Sequence, residues 1–353
     1  MRVLVLGTSN SLLRNGWVSG LREALPAAQI DNRSVGASPG VQFSCAMQVD
    51  FSTYDVVFLD SVVNDENSQK FIGPVEYINR VMYEIASTIS SKTRLIILAF
   101  CKAVNLNTVS PSEVHITRET IARASGAQFV DIRSLVLKYG RSIHGDGDLY
   151  EHMGHPQSGI QKEFGRAIGE CMNSVEYPMG TSNTPCFAHN FKVYTTDWLS
   201  QFGPITSKAT SRFRAEFLNL RPGESIEFEE PGNCLGFYID AKNTRSILRF
   251  DGPSGVRMKE YWFDLKPNSF ELKFVPIKGG FMLNRISVCG RDLPFERSIQ
   301  TRFANWPGTT NAQLSLSSIA FWAGRWKEPI PSMAGKHHLR LHETLEEILG
   351  HRF

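Results

Sequence analysis

Apolar residues come in short dense runs over the first half of this chain and in alternation with polar ones over the second. Val3-Leu4-Val5-Leu6 is the first run, and Gly7-Thr8-Ser9 ends it abruptly. A short apolar run bounded by a turn signal reads as a strand buried on both faces. Leu13, Trp17, Leu21 and Leu25 then recur at helical spacing up to Pro26, which predicts one helix stopped by proline. Ala28 to Val35 reads as a second strand, closed by the turn-forming stretch Gly36-Ala37-Ser38-Pro39-Gly40. Tyr54 to Asp60 is a third strand and gives way to the polar Asn64-Asp65-Glu66-Asn67. Pro74 opens a helix with Ile78, Val81, Met82, Ile85 and Ile89 on one face, and Leu95 to Phe100 is a fourth strand. Ser110-Pro111-Ser112-Glu113 predicts a capped helix start with proline at the first helical position, running to about Ser125. Gln128 to Ile132 is a fifth strand, and a last helix runs from near Pro156 to near Asn173. Strands alternating with helices through short loops predict a parallel sheet covered on both faces, so residues 1–176 are expected to form a flavodoxin-like three-layer α/β/α domain.

Around Tyr177 to Pro185 the composition becomes that of a linker, and beyond it the period falls to two. Phe213, Ala215 and Phe217 alternate with polar residues, as do Ile226 and Phe228, then Phe270, Leu272 and Phe274. Turn signals separate these runs at Arg221-Pro222-Gly223, Asp251-Gly252-Pro253, Lys266-Pro267-Asn268 and Lys278-Gly279-Gly280. Many short strands at such spacing predict a β-rich, sandwich-like domain over 186–335, followed by a helical tail over 336–353.

Composition narrows the function classes. With 353 residues, 42% hydrophobic and 21% charged, the chain reads as a globular protein large enough for two cores. A net charge of +3 without a dense basic run carries no footprint for nucleic acid. No segment has the apolar length of a membrane span, and the first apolar run is too short for a secretory leader, so a cytoplasmic location is expected. The oligomeric state is open. The six cysteines are scattered without C-x-x-C pairs, which argues against a zinc site and leaves disulfide pairing open. His152 with His155, and His338 with His342, have spacings seen in metal ligands, but neither pair has an evident third partner. The G-x-G-x-x-G fingerprint fails after Gly7, with Ser9 and Leu12 where glycines would stand, and no P-loop is present, so no cofactor is expected.

What remains is a set of loop residues at one edge of the expected sheet. Ser9 follows the first strand, Gly36 the second and Asn64 the third, while His155 precedes the last helix in Tyr150-Glu151-His152-Met153-Gly154-His155-Pro156. Taken singly, Ser9 is a helix cap or a nucleophile, Gly36 a turn, and Asn64 and His155 residues at helix starts. Serine, glycine, asparagine and histidine in that order on such a layer resemble the SGNH (GDSL-like) hydrolase family over roughly residues 1–175. The resemblance implies that Ser9 is the nucleophile and His155 its general base, with the Ser9 N–H, the Gly36 N–H and the Asn64 amide as oxyanion donors.

Three positions depart from the family pattern. Thr8 stands where the family has the aspartate of Gly-Asp-Ser, and Val62 where it has the glycine of Gly-x-Asn-Asp. His152 stands where it has the aspartate of Asp-x-x-His, so either His155 works in a dyad or another group orients its ring: His152 itself, Glu151, Asp146, Asp148 or a backbone carbonyl. The implied activity is a serine esterase acting on an O-acylated, especially acetylated, carbohydrate through an acyl-Ser9 intermediate. An O-acyltransferase and a catalytically impaired glycan-binding scaffold are the alternatives. Trp198, Tyr261, Trp262, Trp306, Trp322 and Trp326 are either core residues of the β-rich region or a platform for stacking sugars.

Overall fold

A computed structural model of the chain describes residues 1–353 apart from 175–183, 211–213, 262–269, 280, 290–295, 298–311 and 333–336. Residues 177–183 of the expected linker, Phe213, Trp262, the Lys266-Pro267-Asn268 turn, Gly280 and Trp306 therefore lie outside the described residues. The first layer runs β1 (Arg2–Leu6), α1 (Trp17–Ala24), β2 (Gln29–Asn32), β3 (Val56–Leu59), α2 (Val62–Ile72), α3 (Val75–Ser90), β4 (Arg94–Leu98), α4 (Ala103–Leu106), α5 (Glu113–Ser125), β5 (Gln128–Val130) and α6 (Ile132–His144). A small strand pair, β6 (Tyr150–His152) with β7 (His155–Pro156), leads into α7 (Ser158–Ser174). The sheet is parallel in the order β2-β1-β3-β4-β5. Strand order reverses at β1, which opens a crevice beyond the carboxyl ends of β1 and β3, the place where open α/β sheets hold ligands. Val3 to Leu6 are 0–3% exposed and Val56 to Leu59 0–2%, the double-sided burial that the unbroken apolar runs foretell.

Several boundaries differ from the sequence pattern, each for a local reason. Ser9–Leu12 is a 3₁₀ turn, and α1 begins only at Trp17. Pro111 sits outside α5, whose cap is Ser112: its hydroxyl accepts from the His115 N–H. His155 and Pro156 belong to a strand, and α7 starts at Ser158, whose N–H donates to Glu151. The polar stretch after β3 is helical as α2, and α6 adds a helix to those expected.

Helices α1 and α7 meet almost backbone to backbone. A Cβ on Gly165 would lie 1.8 Å from the Trp17 carbonyl oxygen, and one on Gly20 1.9 Å from that of Lys162. Only hydrogen fits at either position. Because α1 follows the Ser9 turn and α7 follows His155, this seam fixes the two loops against each other.

The second region contains β8 (Phe191–Tyr194), α8 (Thr196–Leu199), β9 (Ile205–Ala209), β10 (Arg214–Leu220), β11 (Ser225–Asp240), β12 (Ser246–Gly252), β13 (Gly255–Tyr261), β14 (Leu272–Pro276), β15 (Met282–Cys289), β16 (Glu296–Arg297) and β17 (Leu314–Trp322). Its pairing is antiparallel save for β13 with β16. The long β11 pairs first with β15 and then, past an irregularity between Glu227 and Gly232, with β14 and β17. One strand thus serves both parts of the sheet, and Phe237, Phe250 and Tyr261 are buried together in its core. Val193, Leu235, Phe274, Ala320 and Trp322 leave that region to join the core formed with α3 and the α/β sheet. The last helix, α9 (Arg340–Arg352), returns to the α/β layer and buries Leu341, Leu345 and Leu349 there. All six cysteines are free thiols, and no described helix is long and apolar enough to cross a membrane.

Candidate active site

Ser9 begins the 3₁₀ turn directly beyond β1, and His155 lies in the short strand before α7. The two are 146 residues apart in sequence, yet His155 Nε2 lies 2.8 Å from Ser9 Oγ. His155 is part-buried, and burial together with the charge of His152 lowers its pKa from the ordinary 6.5, against an upward pull from Glu151. Its ring is therefore neutral at pH 7, the state that can accept a proton.

The loop carrying His155 is gripped from both sides. Asn10, next to Ser9, donates from Nδ2 to the Gly154 carbonyl at 3.1 Å. Gln161, fully buried on α7, donates from Nε2 to the Pro156 carbonyl at 2.8 Å and to Asn10 Oδ1 at 3.4 Å. On the far side, the Tyr150 hydroxyl donates to the Cys101 carbonyl at 3.2 Å, and the Ala103 N–H to that of Met153 at 2.8 Å. A Cβ on Gly154 would fall 2.8 Å from Val63, so the loop also lies tight against α2.

No carboxylate touches the His155 ring among the described residues. Glu151 accepts the first N–H of α7 at 2.7 Å, where a negative charge suits the helix dipole. Asp148 contributes its backbone carbonyl to Gln157, and Asp146 makes no bond to the histidine. His152 is exposed, and its ring centroid is 5.3 Å from that of His155 in a tilted contact rather than a hydrogen bond.

Gly36 and Asn64 are joined through Ser38. The fully buried Ser38 donates from its hydroxyl to the Gly36 carbonyl at 3.2 Å, and its own carbonyl accepts from Asn64 Nδ2 at 3.2 Å. That bond engages one of the two Asn64 amide hydrogens, and the other has no partner among the described residues. A Cβ added to Gly36 would meet only Leu12, at 3.5 Å, so the glycine leaves its peptide open rather than relieving a clash. The neighbouring Ala37 takes a left-handed φ of 52°, which turns the chain toward Ser38. Behind Asn64, Asp65 is buried and accepts from the Gly40 N–H at 2.6 Å, the Ser61 hydroxyl at 2.7 Å and Arg118 at 2.7 Å. Removing one member of such a buried pair costs about 3–5 kcal/mol, so the first turn of α2 is firmly held.

A second buried carboxylate lies beneath the Ser9 turn. Asp60 Oδ2 accepts from the Ser11 hydroxyl at 2.8 Å and from the Thr8 N–H and hydroxyl at 3.4 Å each. Burial pushes its carboxyl up to about 6, against the downward pull of those bonds. Thr8 thus faces a carboxylate at the position where the resemblance expects one of its own.

Asn10, Ser38, Asp60 and Gln161 escaped the reading of the sequence. Of these, Asn10 alone carried a signal, its position beside Ser9. The paired histidines near the C-terminus serve docking instead of metal: His338 meets Glu119 at 3.3 Å and His342 the Ser134 hydroxyl at 3.3 Å. Among the described residues no group of three or more His, Cys, Asp or Glu side chains is placed to hold a metal ion.

No protein-family model and no curated protein matches the sequence. Solved structures do. A member of the lipolytic G-D-S-L family from Veillonella parvula is 13% identical, with 46% of this chain and 93% of that one covered, at a TM-score of 0.37. The structure of TesA is 15% identical over 46% of this chain and 93% of its own, at 0.35. The psychrotrophic esterase EstA from a Pseudoalteromonas species is 16% identical over 47% and 92%, at 0.36. Structures of the GDSL (SGNH) lipolytic family thus match about half of this chain, which holds a parallel five-stranded sheet and a separate antiparallel sheet region.

Proposed function

We propose that this protein is an SGNH-type serine esterase that works through a Ser9–His155 dyad on O-acetylated carbohydrate. The observation that carries the reading is the 2.8 Å approach of His155 Nε2 to Ser9 Oγ beside a histidine held neutral by burial. In the reaction, Ser9 Oγ attacks the ester carbonyl as its proton passes to His155 Nε2. The negative oxygen of the tetrahedral intermediate faces the Ser9 and Gly36 N–H groups and the unengaged Asn64 amide hydrogen. The alcohol leaves with the proton from His155, and acyl-Ser9 remains. Water then attacks, again giving its proton to His155, and collapse releases the carboxylic acid as His155 returns the proton to Ser9 Oγ.

Orientation of His155 falls to the grip on its loop by Asn10 and Gln161 in place of a carboxylate. Water is favoured over a sugar hydroxyl as acceptor because His155 is only part-buried and His152 beside it is exposed, so solvent reaches the dyad. The test is hydrolysis of p-nitrophenyl acetate by the full chain and by Ser9→Ala. Loss of at least a hundredfold in kcat/KM with unchanged thermal stability supports the dyad, and equal rates overturn it. Release of acetate from acetylated xylo-oligosaccharide tests the substrate class in the same pair of proteins.

A further inference from the structure

A cavity of about 590 Å³ lies on the second region and shares no lining residue with the Ser9 site. From its composition we propose that it is a non-catalytic binding site for a neutral saccharide. The size falls within the roughly 300–1,000 Å³ span of small-molecule sites.

Tyr194, Phe321 and Trp322 lie behind its wall and are themselves buried, so the ring open to a ligand is Trp326, which stands at its edge with 37% of its surface exposed. Two glycines bring backbone directly onto these rings: a Cβ on Gly232 would meet Phe321 at 2.4 Å, and one on Gly324 would meet Trp322 at 2.4 Å. Of the six aromatic residues singled out in the sequence, Trp322 and Trp326 reach this cavity, Trp198 stacks instead on Phe228 at 5.6 Å, Tyr261 is fully buried, and Trp262 and Trp306 lie outside the described residues.

The polar lining is built from two anchored amides. Asn190 donates from Nδ2 to the buried Glu84 at 2.9 Å, which leaves Oδ1 as an acceptor without a partner among the described residues. Asn233 accepts the Tyr77 hydroxyl at 3.4 Å on Oδ1, which leaves both Nδ2 hydrogens unengaged among them. One fixed acceptor and one fixed donor group thus line a cavity with the open Trp326 ring at its edge. Lys192 and Glu230 add one charge of each sign, with the Lys192 ammonium 4.9 Å from the Tyr194 ring centre.

A sugar matches this lining. Its axial C–H face packs on an open aromatic ring such as Trp326, and each hydroxyl is both donor and acceptor, as a paired amide donor and acceptor require. An acyl chain would desolvate the two amides and both charges without returning a hydrogen bond. A polyanion would meet the Glu230 carboxylate. Neither objection applies to a neutral saccharide.

The experiment uses the full chain carrying Ser9→Ala, so that loss of ester chemistry cannot affect it, with saturation-transfer NMR and tryptophan fluorescence as readouts. The probes are cellobiose, xylobiose, maltose and chitobiose, with decanoate as the lipid control and polygalacturonate as the polyanion. At least one neutral disaccharide should bind, and Trp326→Ala and Asn233→Asp, which keeps the Oδ1 that accepts from Tyr77 and removes the Nδ2 donor, should each weaken it at least tenfold at unchanged melting temperature. Binding that survives both substitutions, binding of decanoate or polygalacturonate alone, or binding of none of the probes overturns the proposal. Because Ser9 is already removed, these outcomes are independent of the esterase reading.

Discussion

The backbone N–H of Phe274, on β14, donates to the Ser38 hydroxyl at 3.2 Å, although 236 residues separate the two. The second region therefore holds the loop that presents Gly36 and braces Asn64. Tyr238 adds a bond from its hydroxyl to Gln42 at 2.8 Å, and Gln48 one to the Val193 carbonyl at 2.6 Å. Replacing Ser38 by alanine removes the link, and the loss of one such hydrogen bond costs about 0.5–1.5 kcal/mol. We expect kcat on p-nitrophenyl acetate to fall by about ten- to a hundredfold with KM little changed, less than the roughly hundred- to thousandfold loss expected for removing a donor outright. Steady-state kinetics alongside Asn64→Ala checks the order of the two effects.

The grip on the His155 loop makes a second expectation. Gln161→Ala leaves the Pro156 carbonyl and Asn10 without their buried donor, at a cost of about 1–3 kcal/mol. Loop placement, not substrate binding, is what suffers, so kcat should drop by roughly tenfold or more. Unchanged kcat in a destabilised Gln161→Ala protein would show that the loop needs no such brace.

The pH profile should report the neighbours of His155. Its pKa lies below 6.5 chiefly because of burial, with His152 pushing it further down and Glu151 pulling it up. The acid limb of kcat/KM therefore falls below pH 6.5. Removing the His152 charge in His152→Gln moves that limb to higher pH, and Glu151→Gln moves it to lower pH. Shifts of the same sign in both variants would contradict the arrangement.

Asp60 should give the protein a pH-dependent stability. The folded chain holds the Asp60 proton up to about pH 6 against an ordinary value of 3.8. Between those values the native state binds more protons than the unfolded one, so this contribution is fully present below about pH 4 and is lost as pH rises through about 6. Two pH units correspond to roughly 3 kcal/mol. Asp60→Asn cannot ionise, so urea denaturation should show it flatter over pH 4–7 and more stable than the parent at pH 8. An unchanged slope would place the proton elsewhere.

The seam of α1 and α7 makes the most severe expectation. Gly165→Ala puts a methyl 1.8 Å from a backbone oxygen that cannot rotate away, so the helices must separate. Overpacking of this kind costs about 1–3 kcal/mol or more. The separation also carries His155 away from Ser9, so activity should fall further at 20 °C than the loss of folded protein explains. Circular dichroism melts with parallel rate measurements compare the two.

The local pattern was sufficient for the elements that matter most. Val3 to Leu6 and Val56 to Leu59 are buried strands because an apolar run without alternation has no solvent face, and Ser9 and Asn64 lie in the turns that follow them because polar and turn-forming residues stop those runs. The alternation of strand and helix specified a parallel sheet. It could not show that α7 begins at Ser158, because Glu151 supplies the anchor for its first N–H from seven residues away. Helix α6 was legible as well, with Asp131 as its cap and Ile132, Leu135, Val136 and Tyr139 at helical spacing, but the strand expected through Ile132 overran its start.

Pairwise placement belongs to the tertiary structure alone. The Ser9–His155 contact, the Asn10 bond to Gly154 and the Ser38 bond to Phe274 join residues separated by 146, 144 and 236 positions. No periodicity records such distances, because hydrogen bonds form between groups brought together by core packing. The sequence by itself determined which residues stand at the open edge of the sheet. The structure decided what holds them in place: a glycine seam between two helices, two buried amides and a second sheet.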